Sequence, residues 1–372
     1  MINTFVGYNL IARDIDKSLL QVSKQPTVQR ESEYFAKNIV NVKSIDEFLD
    51  NDRLYRFAMK AHGLEDMAYA KAFMRKALEG GISDSDSFAN KLTDKRYAEF
   101  VASFNFAARS DATTTYAPAQ KGVVDRYIIE AFKAGVMLDN PVLVAQNKAY
   151  LAEVGKVKSV SEFLANDAVY SYAMKAFGLG AHLNDKAMMR DMLEDGVADP
   201  NSIANKNENK AFAQFVAAFN FAELGEKATT WRTAIEGTID KFNRQKLEED
   251  AGVQNEGVRL ALYFERKAST IKNAYQLLAD PALSKVAFTA LGLPASFASA
   301  DIDKQAAFLE SKIDFEELST EKGFNKFMQR FTALWEIDNG SSSTPNVALL
   351  FAQPTEMGVS MNTLMALQGM KF

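Results

Sequence analysis

The chain has 372 residues and no cysteine, which excludes a disulfide framework, thiolate-bound zinc and a cysteine nucleophile. Only two histidines are present, His62 and His182, and that removes most other metal-binding and catalytic constellations. Eight prolines and 19 glycines are too few to punctuate the turns of a many-stranded sandwich or barrel. A basic excess is missing too: 43 Lys and Arg against 48 Asp and Glu give a formal charge of −5, the wrong sign for replacing counterions on phosphates. No apolar run approaches the roughly 18–20 residues needed to cross a bilayer. The opening stretch MINTFVGYNLIARDIDKS carries Asp14 and Asp16 and lacks a cationic leader or small-residue cleavage site, so no conventional secretion signal is expected.

Present instead is an internal repeat. VKSIDEFLDNDRLYRFAMKAHGL, from Val42 to Leu64, returns as VKSVSEFLANDAVYSYAMKAFGL, from Val157 to Leu179, an offset of 115 residues. The offset holds without a gap to Phe104–Ala107 and Phe219–Ala222, with about half the positions identical, far above what shared composition gives. A diverged third unit begins near Tyr263, keeping Ile271, Leu277, Leu278, Asp280, Leu283, Gly292 and Leu293 at matching places. Apolar and capping positions survive there while most charges change, the pattern expected of packing.

Each unit opens with a capping box, Ser44 to Glu47, Ser159 to Glu162 and Asn273 to Gln276. A second helix is expected to start on an acidic cap at Asp52, Asp167 or Asp280 and to stop at Gly63, Gly178 or Gly292. A later helix carries large apolar residues at i, i+3, i+4 and i+7: Tyr97, Phe100, Val101 and Phe104; Phe212, Phe215, Val216 and Phe219; Phe324, Phe327, Met328 and Phe331. The connecting segments 119–140 and 233–249 also read as helices, the first with a stripe of Val124, Tyr127, Ile128 and Ala131. Segments 83–87, 109–118 and 199–207 read as loops.

The fold class is therefore all-α: tandem helical repeats of about 115 residues, two close and a shorter diverged third, with a flexible C-terminal tail. The divisions are an N-terminal arm (1–30), repeats at 31–141, 142–256 and 257–338, and a linker with an amphipathic tail (339–372).

Chemistry is hard to find in these residues. The Gly178-Leu179-Gly180 cluster follows a helix and not a strand, so it reads as a terminator and not a phosphate loop. Asp84-Ser85-Asp86-Ser87 resembles the start of a calcium loop, but Ala89 and Lys95 stand where glycine and a bidentate glutamate are needed. His62 has Phe177 and Leu291 as counterparts and reads as a partly buried structural histidine; His182, in a loop, has no evident partner. Lys71 with Arg75, and Lys186 with Arg190, read as solvated or salt-bridging cations in preference to an anion site. Asn105 and Asn220, mid-helix in this reading, are expected to bond a neighbouring loop. No catalytic, cofactor-binding or metal-ligating residue is assigned. The one candidate for partner binding is the tail, where Met357, Met361, Leu364, Met365 and Phe372 share a face if the segment is helical.

The opening MINTFVGYNLIARDIDKSL, the segment from Val42 to Gly81, FANKLTDKRYAEFVASFNFA, EEDAGVQNEGVRLALYFERKA, DKQAAFLESKID and FMQRFTALWEI together resemble the bacterial family Domain of Unknown Function 1217, over about residues 1–338. The resemblance implies tandem copies of one unit and, from the family's place among flagellar genes, a part in building, exporting or regulating a flagellum. It supplies no catalytic residues. Before the second unit, Asp139-Asn140-Pro141 stands where EEDAGVQNEGV precedes the third, so contacts there are expected to differ. The resulting expectation is a non-enzymatic helical protein that acts by contact with a protein partner, without nucleic acid or membrane insertion. It is cytoplasmic, or exported to the flagellum without a cleaved signal. The alternatives are a cytoplasmic chaperone or regulator outside the flagellar structure, and an enzyme using carboxylates in a groove between units.

Overall fold

The computed structural model describes residues 3–268 and 270–339, and every regular element among them is helical. Two helices lead, α1 (Thr4–Ala12) and α2 (Ile15–Ser23). The first unit comprises α3 (Pro26–Ile39), α4 (Ile45–Asp50), α5 (Asp52–Ala61), α6 (Lys71–Gly80), α7 (Phe88–Lys91), α8 (Arg96–Ser103) and α9 (Phe106–Arg109). Helix α10 (Val123–Lys133) leads into the second unit: α11 (Pro141–Val154), α12 (Val160–Ala165), α13 (Asp167–Ala176), α14 (Lys186–Asp195), α15 (Ile203–Lys206), α16 (Ala211–Phe219) and α17 (Phe221–Leu224). Helix α18 (Glu236–Gln254) then precedes the third unit: α19 (Glu256–Ala268), α20 (Ala274–Leu278), α21 (Pro281–Leu291), α22 (Ile302–Lys312), α23 (Phe315–Leu318) and α24 (Glu321–Asn339).

The caps fix these boundaries. Ser44 and Ser159 Oγ each accept from the amide three residues on at 3.2 Å, and Asn273 Oδ1 does so at 3.0 Å. The reciprocal carboxylate or amide oxygen of Glu47, Glu162 and Gln276 accepts from the amide preceding the cap. At the next helix two of the expected caps shift by one residue. The side chains of Asn51 and Asn166 cap α5 and α13, while Asp52 and Asp167 are first-turn residues; only Asp280 acts as the cap itself. Asparagine accepts these amides as well as aspartate does, so the acidic neighbour in the first turn misdirects the reading. Gly63, Gly178 and Gly292 close their helices at φ +67°, +70° and +67°, where a side chain would be strained. Asn105 and Asn220 are not mid-helix: Asn105 Oδ1 caps α9, and Asn220 turns the chain at φ +39° between α16 and α17. The segment 199–207 is not wholly a loop, since α15 lies within it.

Three cores result. The apolar stripes form them as expected, with Phe100, Val101, Phe104, Phe215, Val216, Phe219, Phe327 and Phe331 fully enclosed. Phe48 and Phe163 pack against the stripes at 4.6 Å from Phe104 and 4.5 Å from Phe219. The first 30 residues do not stand apart as an arm. Tyr8 of α1 enters the third core, Val22 and Val28 enter the first, and Thr4 donates from its amide and hydroxyl to Glu336 at 3.0 and 2.7 Å.

The connecting helices depart from the order of the repeats. Helix α10 follows the first unit yet packs on α13, placing its Val123 and Val124, with Ala119 from the turn just before it, in the second core. Helix α18 follows the second unit and returns to α5, placing its Phe242, with Ala234 and Ile235 just before it, in the first core. At the offset of 115 residues, Ala119 aligns with Ala234, Gly122 with Gly237 and Tyr127 with Phe242. The two connecting helices are thus copies of one helix occupying equivalent places, and residues 119–229 form a lobe inserted into the first unit. The C-terminal half of α18 also packs along α19, joining the first unit to the third.

Both crossings repeat the same devices. Thr114 Oγ1 donates to Val42 O at 3.1 Å, and Thr229 Oγ1 donates to Val157 O at 2.9 Å. Gln120 Nε2 ties the crossings together by donating to Thr229 O at 2.9 Å. Tyr116 folds over Gly122 and Trp231 over Gly237, so closely that an added Cβ would lie 2.4 Å from the phenol oxygen and 2.7 Å from the indole ring. A side chain at either glycine would force the aromatic ring above it to shift, through close approach and not through backbone angle.

Candidate functional site

The equivalent placement of α10 and α18 builds one groove twice. In the first unit Phe35 of α3, Phe57 of α5 and Phe242 of α18 stack in series, with ring centres 4.4 and 4.1 Å apart. In the second unit Tyr150, Tyr172 and Tyr127 do the same at 4.3 and 4.0 Å. Offset stacking at such separations stabilises the helix contact beyond simple burial.

Over the Phe57–Phe242 floor, with Val28 beside it, lies an open groove of about 600 Å³. Its rim is charged and internally paired. Arg53 holds Glu31 through two bonds of 3.0 and 3.1 Å while lying 3.5 Å over the Tyr34 ring. Arg56 meets Asp52 at 2.7 Å, Lys60 meets Glu249 at 2.9 Å, and Lys246 meets Asp250. The second groove, about 210 Å³, has Tyr127, Tyr150 and Tyr172 along it. The three hydroxyls are occupied: Tyr127 Oη donates to Gln146 at 3.0 Å, Tyr172 Oη to Asn147 at 2.8 Å, and Tyr150 Oη to Ala119 O at 2.6 Å. Burial pushes the Tyr150 hydroxyl well above the ordinary tyrosine range. A further hollow of about 510 Å³ continues along Val136, Val142 and Leu143.

Behind the first floor sits a polar cluster. His62 Nδ1 bonds Ala58 O at 2.9 Å, its Nε2 faces Ser103 Oγ at 3.0 Å, and Lys241 Nζ lies 3.1 Å from that hydroxyl and 3.3 Å from Nε2. Burial, then the Lys241 charge, holds His62 well below the usual histidine range, so its ring is neutral. Burial also lowers Lys241 to about 8, against the opposing pull of Glu99. At the matching positions the second unit has Phe177, Ala218 and Arg126, with the guanidinium 4.6 Å over the Phe177 ring. His62 is thus enclosed with both ring nitrogens engaged.

An ionic seam joins the first unit, α18 and the third unit. Glu248, buried on α18, receives Arg244 at 3.0 Å and Arg266 at 2.8 Å. Lys267 reaches Glu99 at 2.7 Å, and Tyr263 Oη donates to Asp280, which also faces Arg96 at 3.9 Å.

The other candidates settle into local roles. Lys71 Nζ and Lys186 Nζ cap the ends of α4 and α12 by donating to Leu49 O at 2.7 Å and Leu164 O at 2.8 Å. Arg75 pairs with Asp46, and Arg190 donates to Ser161 at 3.1 Å. Asp84 accepts from the Asp86 amide at 2.8 Å in a polar turn, and half-buried His182 meets Asp185 at 2.8 Å. Among the described residues no group of three His, Asp or Glu is arranged to hold a metal ion. Met357, Met361, Leu364, Met365 and Phe372 lie outside the described residues. Tyr127 lies on a helix stripe legible in the sequence, whereas each stacked triad joins three distant segments. The available signal was that 35 and 150, 57 and 172, and 127 and 242 are all aromatic pairs at the repeat offset.

Fold and grooves together define an internally duplicated all-α protein that carries one groove geometry twice. The chain belongs to the family described as Protein of unknown function (DUF1217), whose model matches residues 61–183 and 176–323. It is similar to an Agrobacterium tumefaciens protein whose crystal structure came from a structural-genomics consortium, with 34% identity and a TM-score of 0.52. That similarity covers 91% of this chain and 97% of the other. No curated protein matches.

Proposed function

We propose that the chain is a non-enzymatic contact protein whose two grooves seat segments of a protein partner. The observation that carries this reading is the duplication itself: one groove geometry is built twice, with a phenylalanine floor in one unit and a tyrosine floor in the other. Apolar floors edged by paired charges suit a docked helix, whose apolar face fills the trough while its polar flanks meet the rim. Partner and setting come from the family resemblance, which points to flagellar assembly, export or regulation; the proposed location is the cytoplasm. No described helix is long and apolar enough to cross a membrane.

The test is site-specific photocrosslinking in motile cells, with the probe at Arg56 on the rim or at exposed Asp84 as control. The expected result is an adduct with a flagellar component from Arg56 alone, and impaired motility in the deletion strain. Equal labelling from both sites, or none from Arg56, would contradict the groove reading. An adduct with a soluble protein outside the flagellum would favour a chaperone or regulator.

A further inference from the structure

A lysine lines the groove of both units, but its setting differs. In the first unit Lys60 is held by Glu249 at 2.9 Å and by Glu65 at 3.5 Å. At the repeat offset Lys60 becomes Lys175, whereas Glu249 becomes Ala134 and Glu65 becomes Gly180. The rim beside it loses its charges as well: the Arg53–Glu31 and Lys246–Asp250 pairs become Ala168 with Gln146 and Ala131 with Gly135. Lys175 lines both hollows of the second unit, as do Tyr127 and Gln146, so the two run together as one open trough with the lysine where they meet. The acids along that trough, Glu130 and Glu153, are each taken at 2.7 Å by a lysine three residues on, Lys133 and Lys156. Among the described residues no carboxylate is paired with Lys175.

We propose, resting on the groove reading above, that this second trough seats a helical segment of a protein partner whose apolar face carries an aspartate or glutamate, with that carboxylate on Lys175. The rest of the trough has little else with which to choose an occupant. The hydroxyls of Tyr127, Tyr150 and Tyr172 are bonded within the chain, and Val136, Val142 and Val169 offer only apolar contact. Lys175 therefore sets the sign of the polar group that is accepted. An ammonium beside apolar surface attracts a carboxylate more strongly once a docked helix excludes water from the pair, and it penalises a cation in the same place. The joined, open hollows fit an elongated segment, whereas a small-molecule site encloses most of its ligand. The first groove, with its rim paired internally, makes no such demand, so the two grooves are matched to different segments.

Photocrosslinking from the full chain in motile cells tests this, with the probe at Val142, an exposed residue on the trough wall. The expected result is a protein adduct whose crosslinked peptide, mapped by mass spectrometry, has an Asp or Glu within one helical turn of its apolar residues. Lys175→Glu should lower the yield at least about fivefold, and Lys175→Gln by less. Changing the mapped partner acid to lysine should restore the yield with Lys175→Glu, which a merely structural role would not allow. Adducts from Arg56 should not respond to Lys175→Glu. Its melting temperature should stay within about 3 °C of wild type, because Lys175 is exposed and unpaired within the described chain. A yield indifferent to Lys175→Glu, a mapped segment without an acid, or an adduct from Arg56 with none from Val142 would each overturn the proposal and leave the groove reading standing. No adduct from either position would overturn both. Binding of decanoate that depends on Lys175, with no protein adduct from Val142, would assign the trough to a small amphiphile and overturn the proposal too.

Discussion

Where the first unit stacks three phenylalanines, the second stacks three tyrosines, at ring separations of 4.4 and 4.1 Å in one and 4.3 and 4.0 Å in the other. Behind those floors His62, Ser103 and Lys241 hold one helix junction by hydrogen bonds, and Phe177 and Arg126 hold the other by a cation over a ring. The comparison separates what the fold demands from what it tolerates. Ring position and helix spacing are shared between the units, whereas hydroxyls, charges and the surface around the groove differ. Shape is therefore the common property, and groove chemistry is free to diverge.

Truncation inside the two cores should have the largest effect and should fall equally on both units. Phe104→Ala and Phe219→Ala, at fully enclosed matching positions, are each expected to cost about 3–5 kcal/mol in chemical denaturation. A loss confined to one of them would show that the units are packed unequally.

The Lys241 junction should respond to pH. Its folded pKa of about 8 lies below the 10.5 of a free lysine, so between those values the unfolded chain binds more protons. Stability relative to Lys241→Met should thus rise by about 1–3 kcal/mol from pH 8 to pH 10.5 and fall again as pH returns to 8.

Conversion of one junction into the other sharpens the comparison further. His62→Phe alone should cost about 1–2 kcal/mol, because it removes a partner from the Ser103 and Lys241 polar atoms. Adding Ser103→Ala and Lys241→Arg, which recreates the second unit's set, should restore stability to within about 1 kcal/mol of wild type. A triple variant less stable than the single one would mean that the junctions are not interchangeable.

The smallest expected effect lies at the crossings. Thr114→Val and Thr229→Val each remove one buried hydroxyl bond and should each cost about 1 kcal/mol by thermal melting.

Much of the fold was legible in the residues because it depends on local spacing. The Tyr97 to Phe104 stripe, its two counterparts, the capping boxes and the terminal glycines all follow from the helical period, which acts within a few residues. The destination of the connecting helices was not legible. Ala119 to Lys133 and Ala234 to Gln254 are copies, and both units offer them matching surfaces, so nothing local tells α10 to pack forwards or α18 backwards. An exchange between equivalent surfaces leaves the apolar pattern unchanged, as in domain swapping. The grooves escaped notice for the same reason, because each needs a ring from a distant segment.

The central claim is that the second unit is an inserted lobe and that the first unit is completed only by α18. Expressing residues 119–229 and residues 1–118 separately tests it most directly, with melting followed by circular dichroism. The account predicts a cooperative transition for 119–229, and none for 1–118 until a peptide spanning 230–254 is added. A cooperative melt of 1–118 alone, unchanged by the peptide, would contradict it.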